Sequence, residues 1–207
     1  MGRRTLAVVA LLALAFAILT GLAVRSGILS TRPQQQTAAV GGPFQLSDQS
    51  GRTVDQRLLQ GKWSAVFFGF THCPDVCPTT MFALGGAEKT LGREARDFQT
   101  VLISVDPERD TVQQMAAYLA NPAFPKQAWG LTGTPEQVAQ AAKAYHVFFR
   151  KSGEGPDYTV DHSTITYLMN PKGEFTCVLR HGLSPEEIAA HVRAAMKQGP
   201  RATSCTP

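Results

Sequence analysis

Charge is sparse in this 207-residue chain, and its basic excess lies in the wrong place for a nucleic-acid partner. Asp, Glu, Lys and Arg make up 17% of the residues, and the formal net charge is +4. Arg3, Arg4, Arg25 and Arg32 are the only charged side chains before Pro33, so sixteen Lys and Arg face sixteen Asp and Glu beyond it. That remainder is formally neutral and shows no basic patch, which sets nucleic acid aside. Cysteine is scarce too: there are four, and none stands in the C-x-x-C spacing of a thioredoxin-type redox pair. There is no internal repeat. The twin arginines lack the surrounding export pattern, and Leu6 stands where a myristoylation signal wants Ser or Thr.

What is present begins with one long apolar run. Residues 5–24, "TLAVVALLALAFAILTGLAV", carry no charge. About twenty such residues suffice to cross a hydrocarbon core of roughly 30 Å as a helix. A cleaved signal peptide has a shorter apolar region, about 7–15 residues, ending in a small-residue site. Arg25 follows the run directly without such a site, so the reading is an uncleaved single-pass anchor. Four flanking residues (1–4) leave no room for an amphipathic organelle-targeting segment, which favours a bacterial cytoplasmic membrane. A polar tether over 25–43, a folded domain over 44–197 and a tail over 198–207 complete the expected organisation.

Hydrophobic content of 43% is that of a globular domain able to bury a core. "FQLSDQSGRTV" from Phe44 alternates about a Ser-Gly turn and predicts a hairpin. "WSAVFFGF" (63–70) and "TVLISVD" (100–106) are continuous apolar runs suited to central strands. "TITYLMN" and "FTCVL" flank Pro171-Lys172-Gly173 and predict an antiparallel pair. Helices are expected from near Cys77, after Asp110 with Gln113 three residues on, after Thr134-Pro135 with Gln137, and after Ser184-Pro185 with Glu187. The fold class is therefore α/β, a thioredoxin-like mixed sheet flanked by helices, with an N-terminal hairpin and the single N-terminal transmembrane helix.

Chemistry concentrates in "FFGFTHCPDVCPTT" (67–80), where a strand hands over to a helix. Residues four apart share one helix face, so the Cys73 and Cys77 sulfurs can point at one atom. The positive end of the helix dipole favours their thiolates, the form that is both nucleophile and metal ligand. Structural disulfide, redox pair and metal site all remain open on spacing alone. A bridge between residues four apart closes a loop too small to stabilise much.

Together, "GFTHCPDVCPTT", "SVDPERDT" (104–111) and "VDHSTITYLMNPKG" (160–173) resemble, in order, the motifs of the Sco/SenC family of copper chaperones for cytochrome c oxidase. The resemblance covers roughly residues 43–196. It implies a thioredoxin-like fold, membrane anchoring, and copper delivered to the binuclear copper centre of the oxidase's second subunit. Carried over by position, it assigns copper to Cys73, Cys77 and His162. Two thiolates and an imidazole suit Cu(I), an imidazole can also hold Cu(II), and zinc would accept the same donors. The alternative is a thiol–disulfide oxidoreductase in which Cys73 attacks and Cys77 resolves, reducing the recipient's metal-binding cysteines. Against general activity of that kind, Thr164 falls where such reductases carry a cis-proline. A peroxidase of the peroxiredoxin kind lacks its local pattern here, and a copper or redox sensor is not separable from a chaperone by sequence.

The expected partners are the copper-bearing oxidase subunit, a thiol reductase or upstream copper donor, and the membrane. The soluble domain is expected to face the periplasm, where empty thiols need a reductant. Asp161 is a candidate to orient His162, and equally a solvated loop residue. Asp75, His72, His146, His181 and His191 read as solvated or structural, and Cys177 as a small buried apolar residue. Cys205 lies in a tail read as mobile, with a bridge to Cys177 unforced. Asp106 to Thr111 reads as strand end, turn and helix cap.

Overall fold

The structure is a computed structural model that describes residues 2, 8, 11–18 and 40–207. Of the expected anchor over 5–24, residues 8 and 11–18 are described and helical, and the others lie outside the described residues, as does the tether up to residue 39. Among the described residues no helix is long and apolar enough to cross a membrane. The chain divides into two units, Met1–Ala38 and Ala39–Pro207, and the second holds the fold described below.

A five-stranded mixed sheet runs in the order β5 (Ala128–Leu131), β4 (Phe98–Ser104), β3 (Trp63–Gly69), β8 (Thr166–Met169), β9 (Phe175–Leu179). β3 is parallel to β4 and antiparallel to β8, so it sits at the centre. Every residue of β3, β4 and β8 is buried, as in strands covered on both faces. This is the physical meaning of the continuous apolar runs. β1 (Gln45–Ser47) and β2 (Thr53–Asp55) form the expected antiparallel hairpin. β6 (Phe149–Ser152) and β7 (Thr159–His162) form a second one that pairs only within itself.

Among the described residues of 40–207, three helices, α1 (Val76–Leu91), α2 (Val112–Leu119) and α3 (Pro135–Ala144), connect strands, and a fourth, α4 (Pro185–Gln198), follows β9. α3 and α4 begin with the expected capping boxes, Thr134 with Gln137 and Ser184 with Glu187. α2 starts one residue later than expected. Thr111, not Asp110, is its cap and accepts from the Gln114 backbone amide at 3.2 Å. The Asp110 carboxylate turns inward instead and is fully buried, accepting from the Ser104 hydroxyl at 2.6 Å and the Thr71 hydroxyl at 2.6 Å. α1 packs against α4, and Gly86 permits the approach: a Cβ there would stand 2.7 Å from two carbons of the Pro185 ring.

The tail is not loose. A Cys177–Cys205 disulfide fixes it to β9, Ala202 is buried, and the Gln198 side chain bonds Ser204. The His191 ring reaches the Cys205 carbonyl oxygen at 2.5 Å. Cys177 is therefore half of a staple and not merely a small apolar residue. Apolar anchoring by Ala202 and the covalent bond outweigh the polar, glycine- and proline-bearing composition that reads as mobile.

Candidate metal centre

β3 ends at Gly69, and the chain turns through Phe70–Asp75 into α1. A Cβ at Gly69 would lie 2.8 Å from the Cys77 sulfur and 2.8 Å from the Phe67 ring. Glycine is needed here because the sulfur occupies the space a side chain would take. A glycine interrupting "FFGF" is the available sequence signal for such an approach, and reading the motif for cysteines alone passes over it.

α1 begins without the usual oxygen cap, since Asp75 makes no side-chain cap bond. The Cys73 sulfur takes that place, accepting from the Cys77 backbone N–H at 3.4 Å. A hydrogen bond from the Cys77 thiol draws the Cys73 thiol down to about 3, and the backbone N–H groups of Asp75 and Cys77 add to the effect against burial. The same hydrogen bond, together with burial, pushes the Cys77 thiol up. Of the two sulfurs, Cys73 thus has the depressed thiol pKa and Cys77, behind it, the raised one. Both are free of disulfides; Cys77 is fully buried and Cys73 half-buried.

His162 arrives from the other side, at the end of β7. Its Nε2 lies 3.8 Å from the Cys77 sulfur, and its Nδ1 lies 3.0 Å from the Ser163 carbonyl oxygen. A carbonyl only accepts, so Nδ1 carries the proton and Nε2 presents its lone pair to the sulfurs. The Phe70 ring meets the imidazole edge-on, with centroids 5.8 Å apart. Sequence places His162 just ahead of the β8 strand; the structure inserts a separate strand, β7, with residues 163–165 linking the two.

The three donor atoms lie within 4.8 Å of one another, the one such metal-capable group found among the described residues. Bonds of about 2.0–2.3 Å, as these donors make to zinc, put neighbouring donors roughly 3.5–4 Å apart. The 3.8 Å separation of Cys77 and His162 already meets that. Thiolate sulfur is a soft donor, so the set suits Cu(I).

The other candidates stand elsewhere. Asp161 faces away from the centre and pairs with Arg150 at 3.2 Å, so the Ser163 carbonyl, not a carboxylate, orients the ring. Asp75 is exposed and accepts from the Thr79 hydroxyl at 3.3 Å. His72 bonds the Thr71 hydroxyl, His181 lies by Thr80, and His191 holds the tail. His146 sits just past α3 with φ 55°.

A profile of the SCO1/SenC family matches residues 32–197. The chain is 44% identical over 156 residues to a mitochondrial SCO1 homolog 1 of Arabidopsis thaliana, covering 74% of this chain and 45% of that one. It thus spans under half the length of that relative. Among solved structures, copper-bound ScoI of Bradyrhizobium japonicum superposes with a TM-score of 0.69 at 42% identity, covering 75% of this chain and 98% of that one. Copper-bound ScoI of Arabidopsis thaliana gives 0.73 at 40%, covering 77% and 99%.

Proposed function

This chain belongs to the SCO1/SenC family, and on that footing we propose that it is a membrane-anchored copper chaperone whose cargo is held by Cys73, Cys77 and His162. One observation carries the reading: two sulfurs and an imidazole Nε2 converge within 4.8 Å, with the ring already in the tautomer that leaves Nε2 free. Cys77 lies at the buried back of the site, while Cys73 and His162 form its accessible edge. A recipient's donor approaches from that edge, adds to the ion, and replaces Cys73 and His162 before Cys77. Transfer then proceeds by exchange of ligands, without a bare ion.

The recipient proposed is the copper-bearing subunit of cytochrome c oxidase, and the anchor at 5–24 would hold the domain near it, raising effective concentration. The domain would face the periplasm from a bacterial cytoplasmic membrane. The Cys177–Cys205 disulfide supports an oxidising compartment, where the Cys73–Cys77 pair would require a thiol reductase or an upstream copper donor to stay reduced.

The test is anaerobic Cu(I) titration of the reduced full chain in detergent, against a competing chelator, beside His162→Ala. One copper per chain, weakened about tenfold or more by the substitution, supports the three-donor site. Copper bound equally well without His162 overturns it. Gly69→Ala provides a second check: the new methyl must displace the Cys77 sulfur, and affinity is expected to fall about tenfold, on the scale of an outer-shell change. Unchanged affinity would show that the strand end yields and the sulfur does not.

A second reading draws on the half-buried Cys73, whose thiol is drawn down, backed by the buried Cys77, whose thiol is pushed up. The Cys73 thiolate would attack a recipient disulfide and release one recipient thiolate. Cys77 would then lose its proton and attack the Cys73 sulfur, releasing the other, so that the recipient is reduced and this pair oxidised. Such exchange does not need His162, so His162→Ala separates the two roles.

A further inference from the structure

"SVDPERDT", read from sequence as turn and cap, touches both halves of the metal centre. Towards the cysteines, buried Asp110 accepts from the Thr71 backbone N–H at 3.2 Å and from the Thr71 hydroxyl at 2.6 Å, two residues before Cys73. The Ser104 hydroxyl closes that group at 2.6 Å from Asp110 and accepts from the Asp106 N–H at 3.0 Å. Towards the histidine, the Tyr158 hydroxyl donates to the Asp106 carboxylate at 2.5 Å, four residues before His162. Arg109 bonds the same carboxylate at 2.6 Å and lies over the Tyr158 ring, 3.6 Å from its centroid, while the Lys151 ammonium lies 3.8 Å from that centroid.

This matters because β6 and β7 form a ladder only with each other. No strand pairing to the five-stranded sheet locates His162, so beyond the short 163–165 link to β8 its placement rests on side-chain contacts. The Asp106–Tyr158–Arg109 group is the buried polar contact between the hairpin and the body. Arg109 also contributes its N–H to the Pro156 carbonyl at 3.3 Å, seizing the hairpin near its tip.

We propose that residues 104–111 form a bracket that sets the separation between the sulfur arm and the imidazole arm, with Tyr158 the positioning residue for His162. Tyr158 touches no metal; it acts by fixing the strand from which the imidazole projects. The inference rests on the reading of Cys73, Cys77 and His162 as the copper ligands.

The experiment compares the full chain with Tyr158→Phe, His162→Ala and the double variant by Cu(I) competition titration and X-ray absorption. Tyr158→Phe keeps the ring and loses only the hydroxyl. It is expected to weaken copper about tenfold and to diminish the imidazole scattering while copper–sulfur scattering remains. In the His162→Ala background it is expected to change nothing further. Arg109→Gln, which opens the same link from the other side, should act in the same direction and serves if Tyr158→Phe does not fold. Full affinity with intact imidazole scattering in Tyr158→Phe, while His162→Ala loses affinity, overturns the bracket and leaves the ligand reading standing. An equal loss in the His162→Ala background also overturns it, since the effect would then run through the sulfurs or the fold. If His162→Ala itself has no effect, the ligand reading fails and the bracket with it.

Discussion

Cys77→Ser is expected to lower Cu(I) affinity of the reduced full chain by about two to three orders of magnitude. Structural zinc sites bind with about 10–16 kcal/mol shared among four ligands, or roughly 3 kcal/mol per ligand. At about 1.4 kcal/mol per tenfold, loss of one soft donor is worth two decades or more. Cys77 is fully buried, so solvent has no ready route to supply a replacement, and a serine hydroxyl is a hard donor poorly matched to Cu(I). Cys73→Ser should lose a comparable amount by the same argument. It also offers an internal control, because the Cys73 sulfur caps α1 and a serine oxygen can accept from the Cys77 N–H in its place. Thermal stability without metal should therefore hold while copper is lost. Titration against a chelator of known affinity decides it. If both serine variants bind within tenfold of the wild type, the sulfurs are not the principal ligands.

Cys205→Ala is expected to cost about 3–4 kcal/mol of stability, the range for a loop of this length between Cys177 and Cys205, 28 residues apart. For a chain of this size that corresponds to a melting temperature lower by about 10 °C. Much of the loss should be local: the tail would be held to α4 only by Ala202, the Gln198–Ser204 bonds and the His191 contact to the Cys205 carbonyl. Substitution is the right probe, because a reductant would act on Cys73 and Cys77 as well. A scanning calorimetry shift below about 2 °C would mean that packing alone secures the tail. Copper affinity should not change, as neither residue of the staple belongs to the donor cluster.

Sequence was most informative where local rules act alone. Both Pro-containing capping boxes start their helices at the expected residues, because each is closed by side chains three positions apart. β3 and β4 are legible because a strand covered on both faces must be apolar throughout. The same rule hides β6 and β7, whose residues are mostly half-buried or exposed, Val160 being the buried one, and include Arg150, Lys151 and Asp161. β5 is short, with Gly130 in its middle. Asp110 misleads as a cap for a different reason: its carboxylate is claimed by Thr71, thirty-nine residues away in the chain, a tertiary demand that no local pattern records. For the centre itself, Cys73 and Cys77 announce themselves, whereas His162 is marked by resemblance to a family and by its place just ahead of the "TITYLMN" strand, which a thioredoxin-like sheet brings beside the cysteines.

Because the imidazole rides on a hairpin outside the principal sheet, the two parts of the donor set stand in different structural settings. Cys77 is embedded in the core where β3 meets α1, and Cys73 is half-buried beside it. The hairpin buries Tyr158 and Val160, while Arg150 and Asp161 on it are exposed and open to change with little consequence for the core. Drift there would alter how firmly the third donor engages, and so how readily cargo leaves. Change at exposed hairpin positions such as Arg150 and Asp161 could therefore retune release while the thiol corner stays as it is.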